Sequence, residues 1–414
     1  MTGLATTLWA LAWLGLHRRV RAVLHVYRRD GWRWELRLAD VSAALAEDER
    51  VLESNVVLLV NVDNRSFVDS NGSKVQAGHV RLRIMMSAMA QAEDGMRLSR
   101  MENFEVHTPE QLPAQTLLLA TAKRLREELV ALRAAPLAEP YAGPAVLAGR
   151  AAGVFFHEIF GHRLEGHRQK DDLEGQTFAT MVGKRVLPVF LDMVDDPTAQ
   201  RLGGVPLSGH YFVDDEAVPA RRTLLVERGK LRGFLLGRSP VLPFKHSNGH
   251  GRRERGNQVV ARQGNLIVTS RKTIPDQRMR QALIDEAKRQ NKPYGLWFSD
   301  IQGGYTITER SVQGGTDVLW PAQVQHHRPG MGRRAGELQH QEALFEQLRN
   351  DPSVLFAFRH LREAPKARLV PSPGGRRVTR PVATSITARS QSSPSWWAGL
   401  TEKTSCDPSG DQAG

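Results

Sequence analysis

The chain has 414 residues, 41% hydrophobic and 24% charged, with a formal net charge of +13 and a pI ≈ 10.3. This is an ordinary globular composition, long enough for two or three domains and for a sizeable core without crosslinks. A single cysteine, Cys406, excludes an intrachain disulfide and fits a reducing cytoplasm.

Most of the positive charge is arginine, clustered at Arg18–Arg19–Arg21, Arg252–Arg253–Arg255 and Arg376–Arg377–Arg380. Basic chains suit nucleic acid, anionic membranes or acidic ligands. No nucleic-acid fingerprint surrounds these clusters, so they read as solvated faces and nucleic acid is not the expected partner.

Residues 1–50 form an N-terminal extension whose order the composition leaves open. Leu8 to Leu16 is an apolar run too short to span a bilayer. It lacks the preceding positive charge of a secretory signal, so a packed helix is preferred over a weak signal or anchor. Residues 51–140 read as an N-terminal α/β domain. Val56–Val62 is an apolar strand, Ser70-Asn71-Gly72 a turn, and Val80, Leu82, Ile84, Met86 and Ala88 alternate as in a half-buried strand. Leu118, Ala122, Leu125, Leu129 and Leu132 recur at helical spacing and predict an amphipathic helix. Pro136, Pro140, Gly143 and Pro144 then read as a linker.

Residues 145–310 read as a second domain, helical over 151–167. A hairpin is expected from Leu224–Val226 and Leu231–Leu236 around Arg228-Gly229, and a surface helix over 276–290. Short strands are expected at Tyr294–Phe298 and Tyr305–Thr308. Residues 311–414 read as a divergent, partly disordered tail, with a helical island near Glu337–Leu348.

The chemistry is concentrated in Phe155-Phe156-His157-Glu158-Ile159-Phe160-Gly161-His162-Arg163-Leu164-Glu165-Gly166-His167. Paired imidazoles are natural zinc ligands, and a glutamate beside them can serve as general base on metal-bound water. The familiar spacing is H-E-x-x-H; here it is H-E-x-x-x-H. Five residues of ideal α-helix turn through roughly 500°, which leaves the histidines about 140° apart. One inserted residue, as a π-bulge, would realign them, and Gly161 is where such a distortion would cost least. His167 can contribute a further ligand or lie outside the site.

These residues resemble those of the TldD/PmbA metallopeptidases, a family also described as modulators of DNA gyrase. The resemblance is carried by His157–His162 with Leu164-Glu165-Gly166, by Asp214-Asp215-Glu216, by Ser247–Arg252, by Ala261–Asn265 and by Asp300–Gly304. It covers roughly residues 60–310. It implies an α+β protein, with a mixed N-terminal domain and a C-terminal peptidase domain rich in antiparallel strands. It also implies Zn2+ on His157 and His162, Glu158 as base, a cysteine as third ligand, and homo- or heterodimers that admit only extended or unfolded peptides. Cys406 is the one cysteine available; it is either that ligand or a free thiol in the tail. Substrate-binding or ligand-orienting positions are Glu165, Asp214, Asp215, Asn248, His250, Arg252 and Arg262, with local turns as the structural alternative. Besides an active zinc peptidase, the sequence leaves room for a non-catalytic family partner with an incomplete metal site, or a nucleic-acid-associated regulator.

Overall fold

The computed structural model describes residues 33–135, residues 141–301 apart from 172, 175 and 255, residue 306, and the backbone of four strands beyond it. The first unit starts with a helix over 33–45 (α1). It buries Trp34, Leu38, Val41 and Leu45, one helical stripe. This places an ordered element inside the N-terminal extension; the Leu8–Leu16 run lies outside the described residues.

Strands β1 (Glu53–Val68), β2 (Lys74–Gln91) and β3 (Arg97–Val106) follow as an antiparallel meander. The β1–β2 turn is set by Asp69, whose carboxylate accepts from the Asn71 and Ser73 amides, and by Gly72 at φ 83°. Along β2 the residues Val80, Leu82, Ile84, Met86, Ala88 and Ala90 are buried. They pack with α1 and with α2 (Gln115–Arg133), which buries Leu118, Ala122, Leu125, Leu129 and Leu132. Each such leucine contributes roughly 1.5–3 kcal/mol on burial.

Because strand residues alternate in direction, Arg81, Arg83 and Glu105 project from the other face of this sheet. Glu105 pairs with both arginines and accepts from the Ser208 hydroxyl of the second unit. Nearby, Arg65 bridges Asp63 and Asp215. The polar face of the meander is thus where the two units meet.

The second unit opens with β4 (Ala145–Ala148) and α3 (Arg150–Phe156). Of the expected linker, 136–140 lies outside the described residues, whereas Tyr141 stacks on Tyr294 with ring centroids 4.8 Å apart. After the helical segment come β5 (Leu191–Asp195), the small pair β6 (Arg201–Leu202) and β7 (Val205–Pro206), then β8 (Thr223–Glu227) and β9 (Lys230–Leu231). The expected hairpin is present, turning through Arg228 and Gly229 with positive φ. Its second strand is short, and Phe234, Leu235 and Leu236 continue as buried irregular chain. The pair β10 (Gly251–Arg252) and β11 (Val260–Ala261) is followed by β12 (Leu266–Ser270), which completes the sheet β12-β5-β8-β9. Helix α4 (Asp276–Arg289) packs Met279 and Leu283 on Val146.

Strand β13 (Leu296–Ile301) lies parallel to β4 and antiparallel to β14 (Val318–His326), which pairs with β15 (Met331–Leu338). The expected strand over Tyr305–Thr308 is not formed at Thr306, and its other residues lie outside the described ones. The expected helical island begins inside β15, since Glu337 and Leu338 are strand; the remainder lies outside the described residues. Short strands β16 (Phe356–Ala357) and β17 (Thr384–Arg389) pair with β4 and β1. No helix among the described residues is long and apolar enough to cross a membrane.

Candidate metal centre

Helix α3 is anchored by Ala151, Phe155 and Phe156, which join Ile159, Phe160 and Leu164 in the core of the second unit. Keeping this apolar face inward while turning both histidines outward needs the extra residue that the five-residue spacing demands. Residues His157–Gly161 form a π-helix, and the His162 amide donates to the His157 carbonyl. The result is an edge-to-face pair of imidazoles with centroids 4.6 Å apart.

Gly161 has φ −54°, ordinary helical backbone, so conformational freedom is not what glycine supplies here. Its role is close approach. A Cβ at this position would lie 2.7 Å from Gln263 Nε2 and nearer still to the amide carbon and oxygen. The Gln263 amide therefore rests on the helix at Gly161, with Nε2 3.5 Å from His162 Nδ1 and its oxygen buried without a hydrogen-bond partner.

Ligand-capable atoms of His157, Glu158 and His162 lie within 4.8 Å of one another, the group of this kind found among the described residues. Glu158 Oε1 is 3.8 Å from His157 Nε2, and Oε2 is 3.8 Å from His162 Nε2. Burial, and next the His162 ring, push the His157 imidazole down to about 4, so at neutral pH it offers a lone pair. Burial pushes the Glu158 carboxyl up, against the Thr306 hydroxyl, which favours the ionised form. Thr306 Oγ1 lies 2.6 Å from Glu158 Oε2 and 2.8 Å from the Glu158 carbonyl oxygen.

Glu165 is fully buried, and its Oε1 lies 3.1 Å from His162 Nδ1. With Nδ1–H donating to that oxygen, the His162 Nε2 lone pair faces Glu158 and His157. Burial opposes ionisation of Glu165, but the His162 hydrogen bond and the charges of Arg262 and Arg168 outweigh it and hold the carboxyl at about 2. Two imidazoles, one oriented by a carboxylate, with a further carboxylate alongside suit a borderline cation such as zinc.

The other expected positions divide. Arg262 reaches the site through Glu165, its Nε 3.4 Å from Oε1. Asp214 accepts from the Glu216, Val218 and Gly251 amides, the turn-holding alternative. Asp215 is engaged by Arg65, by Arg252 and by the Arg253 amide. Arg252 lies over the Tyr211 ring at 4.3 Å. Asn248 ties the Phe234 carbonyl to the Leu236 amide, and His250 is buried against Asp195 at 3.1 Å. These five hold loops rather than line the triad. His167 is outside the convergent group, with its Nδ1 buried and unpartnered. Cys406 lies outside the described residues. Gln263 and Thr306 escaped the sequence reading of the site. Gln263 sat inside the Ala261–Asn265 motif, whereas Thr306 carried no local signal.

A π-distorted helix thus presents two imidazoles around a buried carboxylate, inside an α+β domain, an arrangement that can hold a metal ion. Residues 141–317 match the PmbA/TldA metallopeptidase C-terminal domain, and over this region the chain is similar to the TldD/PmbA family. It is 25% identical over 268 residues to a metalloprotease of Methanocaldococcus jannaschii, covering 64% of this chain and 54% of that one. It is 27% identical over 272 residues to a metalloprotease of Methanothermobacter thermautotrophicus, covering 63% and 53%. The chain thus spans about half the length of these curated relatives. A solved structure from Thermotoga maritima, proposed as a modulator of a DNA gyrase, shares the fold with a TM-score of 0.54 at 17% identity, covering 76% of this chain and 66% of that one.

Proposed function

We propose that this chain is a zinc-dependent peptidase acting on extended or unfolded peptides, with Glu158 as general base. The observation that carries the reading is the convergence of His157, Glu158 and His162 on a π-turn, backed by the buried Glu165 behind His162. When bound, zinc polarises a carbonyl and acidifies water. His157 and His162 would hold it through Nε2. Glu158 takes the proton of the attacking water at Oε1, since Oε2 is engaged by Thr306, and returns it to the leaving amine. Arg262, half-exposed beside Glu165, would meet the polypeptide chain of a substrate. The third ligand is to come from Cys406, His167, an acidic residue or a partner chain. The dimer, of two copies or with a relative, belongs to the same proposal, and a light-scattering mass decides it.

The test is zinc content and hydrolysis of an unstructured peptide by the full chain. The double substitution His157→Ala/His162→Ala should abolish zinc binding. Glu158→Gln should keep zinc and lose activity by about 100-fold or more. Cys406→Ser should weaken zinc retention if that residue is the third ligand. Zinc retained by the double variant, or full activity in Glu158→Gln, would overturn the reading.

A further inference from the structure

Glu158 occupies an ambiguous position. Its carboxylate oxygens stand 3.8 Å from the Nε2 atoms of both histidines, so it is as able to join a ligand set as to serve a water molecule. Its side chain has soft torsions between backbone and carboxylate, and each has alternative staggered wells. The carboxylate is 1% exposed, so bulk solvent does not hold it in one orientation. Among the described residues, what holds it is the Thr306 hydroxyl: Oγ1 reaches both Oε2 and the main-chain oxygen of the same glutamate. Its one hydrogen is shared between the two acceptors, and a single donor that faces both ends of one residue restrains the torsions between them.

We propose that Thr306 is a positioning residue that keeps the Glu158 carboxylate in the base position and out of the metal's ligand set. This rests on the reading of Glu158 as base. The assignment concerns a residue 148 positions away in sequence, on the segment that follows β13. A purely structural tie between that segment and the π-turn would not depend on which oxygen of Glu158 is free.

The experiment compares the full chain with Thr306→Val, which removes the hydroxyl at nearly constant volume, and Thr306→Ser, which keeps it. Each protein is stripped and reloaded. Zinc affinity is measured by competition with a chromophoric chelator, the visible absorption of the cobalt(II) form is recorded, and hydrolysis of an unstructured peptide is followed. Thr306→Val should shift the cobalt bands and change zinc affinity by about tenfold, as freeing a ligand-sphere neighbour does. It should lower kcat by about 100-fold with KM little changed. Thr306→Ser should recover most of each change. Thr306→Ala serves the same comparison if the valine variant does not fold. Unaltered cobalt spectrum and zinc affinity in the hydroxyl-free variant, or failure of serine to restore them, would overturn the proposal. Shifted spectra in a chain that hydrolyses nothing even as wild type would sink the peptidase reading and leave the positioning role standing. A wild-type chain that binds neither zinc nor cobalt would overturn both.

Discussion

Replacing Gly161 by alanine tests how the π-turn and the distant Gln263 cooperate. The backbone at Gly161 is helical, φ −54° and ψ −55°, so alanine meets no torsional penalty and gains up to about 1 kcal/mol of helix propensity. Against this stands the Gln263 amide, whose nitrogen would lie 2.7 Å from the new methyl. Ordinary contact needs about 3.5–4.0 Å, so the amide must retreat by about 1 Å or more. Overpacking of this kind costs typically about 1–3 kcal/mol. The amide ends a flexible side chain, so the net change in stability should fall at roughly 0–2 kcal/mol of loss, since the two terms oppose. The sensitive readout is therefore metal affinity, because retreat of Gln263 removes the group packed beside His162 Nδ1. Zinc affinity should fall by about tenfold, at the lower end of what an orienting neighbour contributes. Urea unfolding and chelator competition on Gly161→Ala, Gln263→Ala and the double variant form a cycle. The double variant should be more stable than the sum of the single changes implies, by about 1 kcal/mol. Strict additivity, with zinc affinity unchanged in Gly161→Ala, would refute the packing argument.

Glu165→Gln preserves shape but removes the charge that faces His162, Arg168 and Arg262, and zinc affinity by competition should drop about 10- to 100-fold. Glu105→Ala strips the counter-charge from buried Arg81 and should lower stability by about 3–5 kcal/mol in urea. By contrast Lys123→Ala, which breaks an exposed pair with Glu127, should stay within about 0.5 kcal/mol. Burial, and next the charge of Arg81, push His79 down to about 4. Between about 6.5 and 4 the unfolded chain therefore binds more protons, so stability should fall as pH drops through that window and level off below it. A stability difference between wild type and His79→Gln that does not vary across the window would count against that shift.

Features set by local periodicity were legible in the sequence. The alternation through Val80–Ala88, the turn at Asn71-Gly72 and the stripe Leu118–Leu132 depend only on which face of a strand or helix is apolar, and each element stands where that pattern puts it. The π-turn was legible for a related reason: the five-residue step between histidines is incompatible with a regular helix, whatever surrounds it. The stripe Trp34, Leu38, Val41 and Leu45 carries the same kind of signal, but in a stretch whose arginines at 18, 19, 21, 28, 29, 33 and 37 blur the contrast between its faces. The polar face of the meander was not legible. Arg81 and Arg83 occupy the polar positions of an alternating strand, and only the fold brings Glu105 and Ser208 against them.

The glycine-bearing motifs allowed two readings in sequence, a substrate surface or a set of local turns. Polar residues gathered in loops suggest a substrate surface, but glycine-rich backbone exposes amides that must be satisfied when buried, and carboxylates and amides are the side chains that do so. Asp195 shows the consequence. Its carboxylate lies against His250 Nε2 and accepts from the amides of Gly264 and Asn265. Asn248 fixes the imidazole from its other side, and the Arg262 amide donates to the His250 carbonyl. These contacts lock the start and end of the Ala261–Asn265 segment, and between them sit Arg262 and Gln263, whose side chains press on Glu165 and Gly161. His250 and Asn248 thus bear on the metal centre without touching it. They set the position of a loop, the loop sets two side chains, and those side chains hold the carboxylate and the π-turn that orient His162. Motifs that look like separate binding elements in sequence act in the fold as one support for a single imidazole.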